Sequence, residues 1–65
     1  MKIKGYRVMA GYSQKDMANL LNIGTVSYSL KETGKREFYI SEFVKIYTIL
    51  KNKIPSLKLD DLLEV

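Results

Sequence analysis

The side chains that could do chemistry in this sequence are few in type. There is no Cys and no His, which removes thiol and imidazole nucleophiles, imidazole general bases and the commonest transition-metal ligands together. Asp60 and Asp61 are adjacent, so on a helix they point in different directions rather than forming a working carboxylate pair. A Gly-rich phosphate cradle is also missing from the sequence. No catalytic residue, metal site, cofactor or small-molecule ligand is expected. What remains are hydroxyls, an amide and cations: Ser13-Gln14, Thr25, Ser27, Ser29, Lys31 and Lys35-Arg36. Such groups suit holding and positioning a polyanion more than turning over a substrate.

The charge pattern agrees with that inventory. The 65 residues carry a net +4, and the excess lies in the front: residues 1 to 36 hold seven Lys or Arg against Asp16 and Glu32, while residues 37 to 65 hold four against five acidic residues. A basic front half suits a surface that meets nucleic acid, although an ordinary solvated basic face has the same composition. The basic start, Lys2 and Lys4, is followed by Gly5, Tyr6 and Arg7 rather than by an apolar run, so it does not read as a signal peptide. No stretch approaches the roughly 20 apolar residues needed to span a bilayer. A cytoplasmic chain with no membrane partner is expected.

The elements that must position these groups are short helices. Ile3, Tyr6 and Ala10 follow helical spacing, with Gly11 placed to close the helix in a left-handed conformation. Ser13 is a cap for a second helix with Met17, Ala18 and Leu21 on its apolar face. Asn22 tolerates positive φ and marks that helix's end. Only Ile23 and Gly24 follow before a third helix, about Thr25 to Glu32, and this spacing predicts a helix-turn-helix. The next break is Thr33-Gly34. Ser41 then caps a longer helix with the stripe Phe43, Ile46, Tyr47 and Leu50. After an irregular stretch around Pro55, Leu59 to Val65 forms a short last helix with Leu59, Leu62 and Leu63 inward. The prediction is one all-α domain over residues 1–65, a compact bundle of four to five short helices. At this size the core is near the lower limit for an unstapled fold.

On the third helix, 3.6-residue periodicity puts Thr25, Val26, Ser29 and Leu30 on the outer face and Tyr28 on the core face. Ser27 lies toward its flank. Val26 and Leu30 suit contact with thymine methyl groups; a helix rotated to bury both is compatible with the same residues. Ala18 provides the small side chain that a close crossing of the second and third helices requires. Gln14, just after the cap, has one of the free backbone N–H donors of a helix N-terminus.

The series Arg7, Gly11, Ser13-Gln14, Met17-Ala18, Leu21, Ile23, Ser27, Glu32 and Gly34 resembles the helix-turn-helix family of phage Cro proteins and repressors, the XRE family, over about residues 3 to 63. The resemblance implies a lambda-repressor-like fold and a sequence-specific transcriptional regulator that binds a double-stranded DNA operator as a homodimer. It implies base readout by Thr25, Val26, Ser29 and Leu30, and backbone contacts by Gln14, Ser27, Lys31, Lys35 and Arg36. It also implies a structural ion pair between Arg7 and Glu32. Three positions depart from the family's habit. Gly24 stands where Ser or Thr is usual, so Thr25 is a second candidate for the cap. Lys31 replaces an aliphatic residue, with its stem packed and its ammonium free for a phosphate. Gly5 loosens the first helix. Phe38, Tyr39 and the segment Leu59 to Val65 are candidates for the dimer contact or for a satellite core. The rival function is an antitoxin- or antirepressor-like module that uses the same fold to bind a protein.

Overall fold

The computed structural model describes residues 1–64, so Val65 at the end of the predicted last helix lies outside the described residues. Five helices occur among them: α1 (Ile3–Met9), α2 (Gln14–Leu21), α3 (Thr25–Glu32), α4 (Ile40–Lys53) and α5 (Leu59–Leu63), with no strand. The first three end by one device. After α1 the N–H of Gly11 donates to the Val8 carbonyl and that of Tyr12 to Arg7; after α2, Asn22 donates to Asn19 and Ile23 to Ala18; after α3, Gly34 donates to Lys31 and Lys35 to Leu30. Each pair is a Schellman closure, which requires a left-handed residue. Gly11 and Gly34 have φ of +85°, and Asn22 has +57°. The predicted stop residues therefore act through their backbone conformation.

Helix starts show more of the tertiary structure. Ser13 caps α2 in a reciprocal box: Asp16 N–H donates to Ser13 Oγ at 3.0 Å, and Ser13 N–H donates to Asp16 Oδ2 at 2.9 Å. Those hydrogen bonds, the backbone one first, hold the Asp16 carboxyl below its usual value. α3 begins at Thr25 with Gly24 as an extended cap that offers no side chain, so Thr25 does not take the capping role. α4 starts earlier than Ser41 implied. Tyr39 is its cap, and Ser41 is an exposed residue of the first turn. The cause is Glu42, whose carboxylate accepts from the Tyr39 N–H at 2.8 Å. In α5, Asp61 reaches back likewise to the Lys58 N–H at 2.9 Å.

The core comprises Ile3, Met17, Ala18, Leu21, Tyr28, Ile46, Leu50, Leu57 and Leu62, with Phe38, Phe43 and Tyr47 partly buried against it. α2 packs on both α3 and α4, and its fully buried Ala18 supplies the small side chain such packing needs. Leu59 and Leu63, predicted inward, are exposed; only Leu62 of that trio is buried. Leu59 and Leu63 share one face of a five-residue helix, and Leu57, before the helix, fills the core instead. The chain's two ends meet where the Lys2 N–H donates to the Leu62 carbonyl at 3.1 Å. The radius of gyration, 10.6 Å, is what a single packed domain of this length requires, about 10.7 Å.

Candidate nucleic-acid interface

α3 is held on its inner side by two polar clusters. The first converges on Glu32, whose side chain is only 1% exposed. Its Oε2 accepts from Arg7 Nε at 2.8 Å and from the Tyr28 hydroxyl at 2.5 Å; its Oε1 accepts from Arg7 Nη2 and from Gln14 Nε2, each at 3.1 Å. Arg7 Nη1 also donates to the Tyr12 carbonyl at 2.8 Å. Burial pushes the Glu32 carboxyl up, but the hydrogen bonds from Arg7, Tyr28 and Gln14 outweigh it and hold the group below its ordinary value. The bond to Glu32 raises the Arg7 guanidinium, and burial, then the Glu32 hydrogen bond, raises the Tyr28 hydroxyl. The cluster ties α1, the first turn of α2 and the last turn of α3 together. Arg7 and Glu32 thus form a buried ion pair, with the Arg7 side chain 8% exposed.

The second cluster contains a correction. Lys31 does not carry a free ammonium. It is 9% exposed, and Nζ donates to both oxygens of Glu42, at 2.7 and 2.8 Å, with the Tyr39 ring centroid 4.4 Å away. Burial raises the Glu42 carboxyl, and the Lys31 and Tyr39 hydrogen bonds more than reverse that. A buried carboxylate on α4 is a closer and less hydrated partner than a phosphate at the surface, so Lys31 is an internal tie between α3 and α4. The Gln14 side chain also turns inward. Its backbone lies in the first turn of α2, but its half-buried carboxamide is directed to Glu32.

On the opposite side of α3, Thr25 and Val26 are exposed, Val26 at 74%; Ser29 and Leu30 are half-buried, and Leu30 is outside the core cluster. Val26 is therefore not a core residue, and the helix is not rotated to bury it. Ser27 is half-buried and lines a shallow depression with Lys31, Arg36, Glu37, Tyr39 and Glu42. Lys35 and Arg36 follow Gly34 on the surface, their backbone N–H groups both donating to the Leu30 carbonyl, at 2.9 and 3.1 Å. That bond pair fixes the loop against the end of α3 while both cationic side chains project outward.

With Arg7 and Lys31 internally paired and Lys2 bridged to Glu64 at 3.3 Å, the basic front half is reduced at its surface. Lys4, Lys15, Lys35 and Arg36 are exposed and join no ion pair among the described residues. Of the sequence-predicted set, Gln14, Arg7 and Glu32 come together in one cluster, Ser27 and Arg36 share the depression, and Thr25 and Val26 stand free on the outer face. Glu42 and the Tyr28 hydroxyl were missed. The four-residue spacing of Tyr28 and Glu32 was a signal for the second; the Lys31–Glu42 pair has no such spacing.

Among the proposed dimer contacts, Phe38 packs inward, its ring centroid 5.8 Å from that of Tyr28, whereas Tyr39, Leu59 and Leu63 are exposed. No helix among the described residues is long and apolar enough to cross a membrane. No family model, curated protein or solved structure matches this chain.

Proposed function

We propose that this chain is a sequence-specific double-stranded-DNA-binding transcriptional regulator, Cro-like and of phage or prophage type, in which α3 enters the major groove. Its motif is similar to that of the XRE family. The observation that carries the reading is the division of α3 into two sides: Tyr28, Lys31 and Glu32 anchor it from within, while Thr25 and Val26 face solvent and Lys35 and Arg36 project from the loop at its end. The major groove is about 12 Å wide and admits a helix presented in this way.

In this reading Thr25, Val26, Ser29 and Leu30 meet base edges, and Lys35, Arg36 and the half-buried Ser27 meet the sugar-phosphate backbone. Gln14 offers the backbone N–H of the first turn of α2, because its side chain is occupied by Glu32. One eight-residue helix reads only a few base pairs, so the chain binds its operator as a homodimer on half-sites about 34 Å apart. It acts in the cytoplasm of a bacterial cell or phage-infected host, without a cofactor.

Selection of a random-sequence duplex library on the immobilised chain at moderate salt, followed by sequencing, tests this. An enriched, two-fold-related motif is the expected result. Recovery of duplexes with no common motif overturns it and favours an antitoxin- or antirepressor-like protein-binding module.

A further inference from the structure

The outer face of α3 carries no long hydrogen-bonding side chain, and the two on its flanks are withdrawn. The Gln14 carboxamide donates to Glu32, and the Lys31 ammonium is enclosed by Glu42 and the Tyr39 ring. What faces outward is Thr25 and Val26, with Ser29 and Leu30 half-buried beside them. The two hydroxyls both donate and accept, so they fit many base edges without choosing strictly among them. Val26 and Leu30 sense only apolar features. In the major groove the base pairs differ in their donors and acceptors and in one apolar group, the C5 methyl of thymine. An exposed valine on the first turn gains by covering such a methyl group and gains little from a bare pyrimidine edge.

Resting on the groove reading above, we infer that site selection by this chain is carried mainly by pyrimidine C5-methyl groups. Thymine and 5-methylcytosine are accepted under Val26, while uracil and unmethylated cytosine are disfavoured. Cytosine methylation at that step then strengthens binding, which makes the modification state of the DNA an input to the regulator.

The test uses the duplex recovered from the library selection, measured by fluorescence anisotropy, with each thymine replaced singly by deoxyuridine. At the Val26 step, duplexes carrying cytosine and 5-methylcytosine are compared as well. Covering one methyl group corresponds to roughly a fourfold change in affinity. Thymine to uracil therefore weakens binding by about that factor at the contacted steps, and 5-methylcytosine binds tighter than cytosine by a similar factor. Val26→Ala keeps the melting curve of the parent chain, since Val26 is so exposed, and brings the thymine-to-uracil ratio at its step close to unity. A duplex that is selected and bound equally well with uracil at every position overturns the inference and leaves the groove reading intact. An unchanged thymine-to-uracil ratio in Val26→Ala also overturns it. Failure to select any motif removes both.

Discussion

Replacing Glu32 with Ala removes the acceptor at the centre of the cluster that joins α1, α2 and α3. The Arg7 guanidinium, 8% exposed, would keep only the Tyr12 carbonyl, and the Tyr28 hydroxyl and Gln14 amide would lose their acceptor. Stranding one partner of a buried ion pair costs about 3–5 kcal/mol. A 65-residue domain has a total stability of about 3–10 kcal/mol, so Glu32→Ala brings the chain close to unfolding. Even the lower figure lowers Tm by about 12–24 °C, at about 4–8 °C per kcal/mol for a domain of this size. Urea and thermal unfolding followed by circular dichroism measure this. The paired variant Arg7→Met/Glu32→Leu removes both charges and recovers part of the loss, because no unpaired ion is left buried. The pH dependence has a definite sign. Glu32 is held below its unfolded value, so its contribution is present above the ordinary Glu range and is lost as the pH falls through that range and below it. A variant lacking Glu32 lacks that part of the acid transition. A loss below about 1 kcal/mol in Glu32→Ala, or single-variant losses that simply add in the double variant, would refute the reasoning.

The second cluster makes a similar demand on α4. Glu42→Ala strands the Lys31 ammonium and removes the acceptor for the Tyr39 N–H, costing about 2–4 kcal/mol in chemical denaturation; a change within error would show the pair to be solvated. Asn22→Val forces a β-branched residue into the left-handed region and costs about 1–2 kcal/mol, whereas Asn22→Gly is neutral or slightly stabilising. Equal melting temperatures for the two variants would contradict the closure described for α2. In DNA-binding titrations, Lys35→Ala and Arg36→Ala each lower the log-log salt slope by about one, while Lys31→Met destabilises the fold and leaves that slope unchanged. A slope change confined to Lys31→Met would reverse the assignment of cations to surface and interior.

Local chemistry is where the sequence was most legible. Gly11, Asn22 and Gly34 were recognisable as stops because a left-handed backbone suits few residue types, and the hydrogen bonds that need it are local. Ser13 was recognisable as a cap, since its partner Asp16 lies three residues on. Val26 on the outside and Tyr28 on the inside of α3 follow from helical periodicity within one short segment. Ser41 failed as a cap because the deciding group is Glu42, a residue also engaged by another helix.

The sequence by itself determined an all-helical chain without Cys or His, the positions of its turns and the face that α3 presents. Those properties depend on composition and on neighbours within about one helical turn. Tertiary structure decided which polar groups remain at the surface. Lys31 and Glu42 are eleven residues apart on different helices, and Gln14 and Glu32 eighteen; the approach of α3 to α4 and of α2 to the end of α3 is what pairs them. Burial then makes each pair close inward, because a charge or amide withdrawn from water must find a partner where it lies. The outer face of α3 keeps the Thr25, Val26, Ser29 and Leu30 that periodicity placed there, and what the tertiary structure added is the withdrawal of the longer Gln14 and Lys31 side chains beside it.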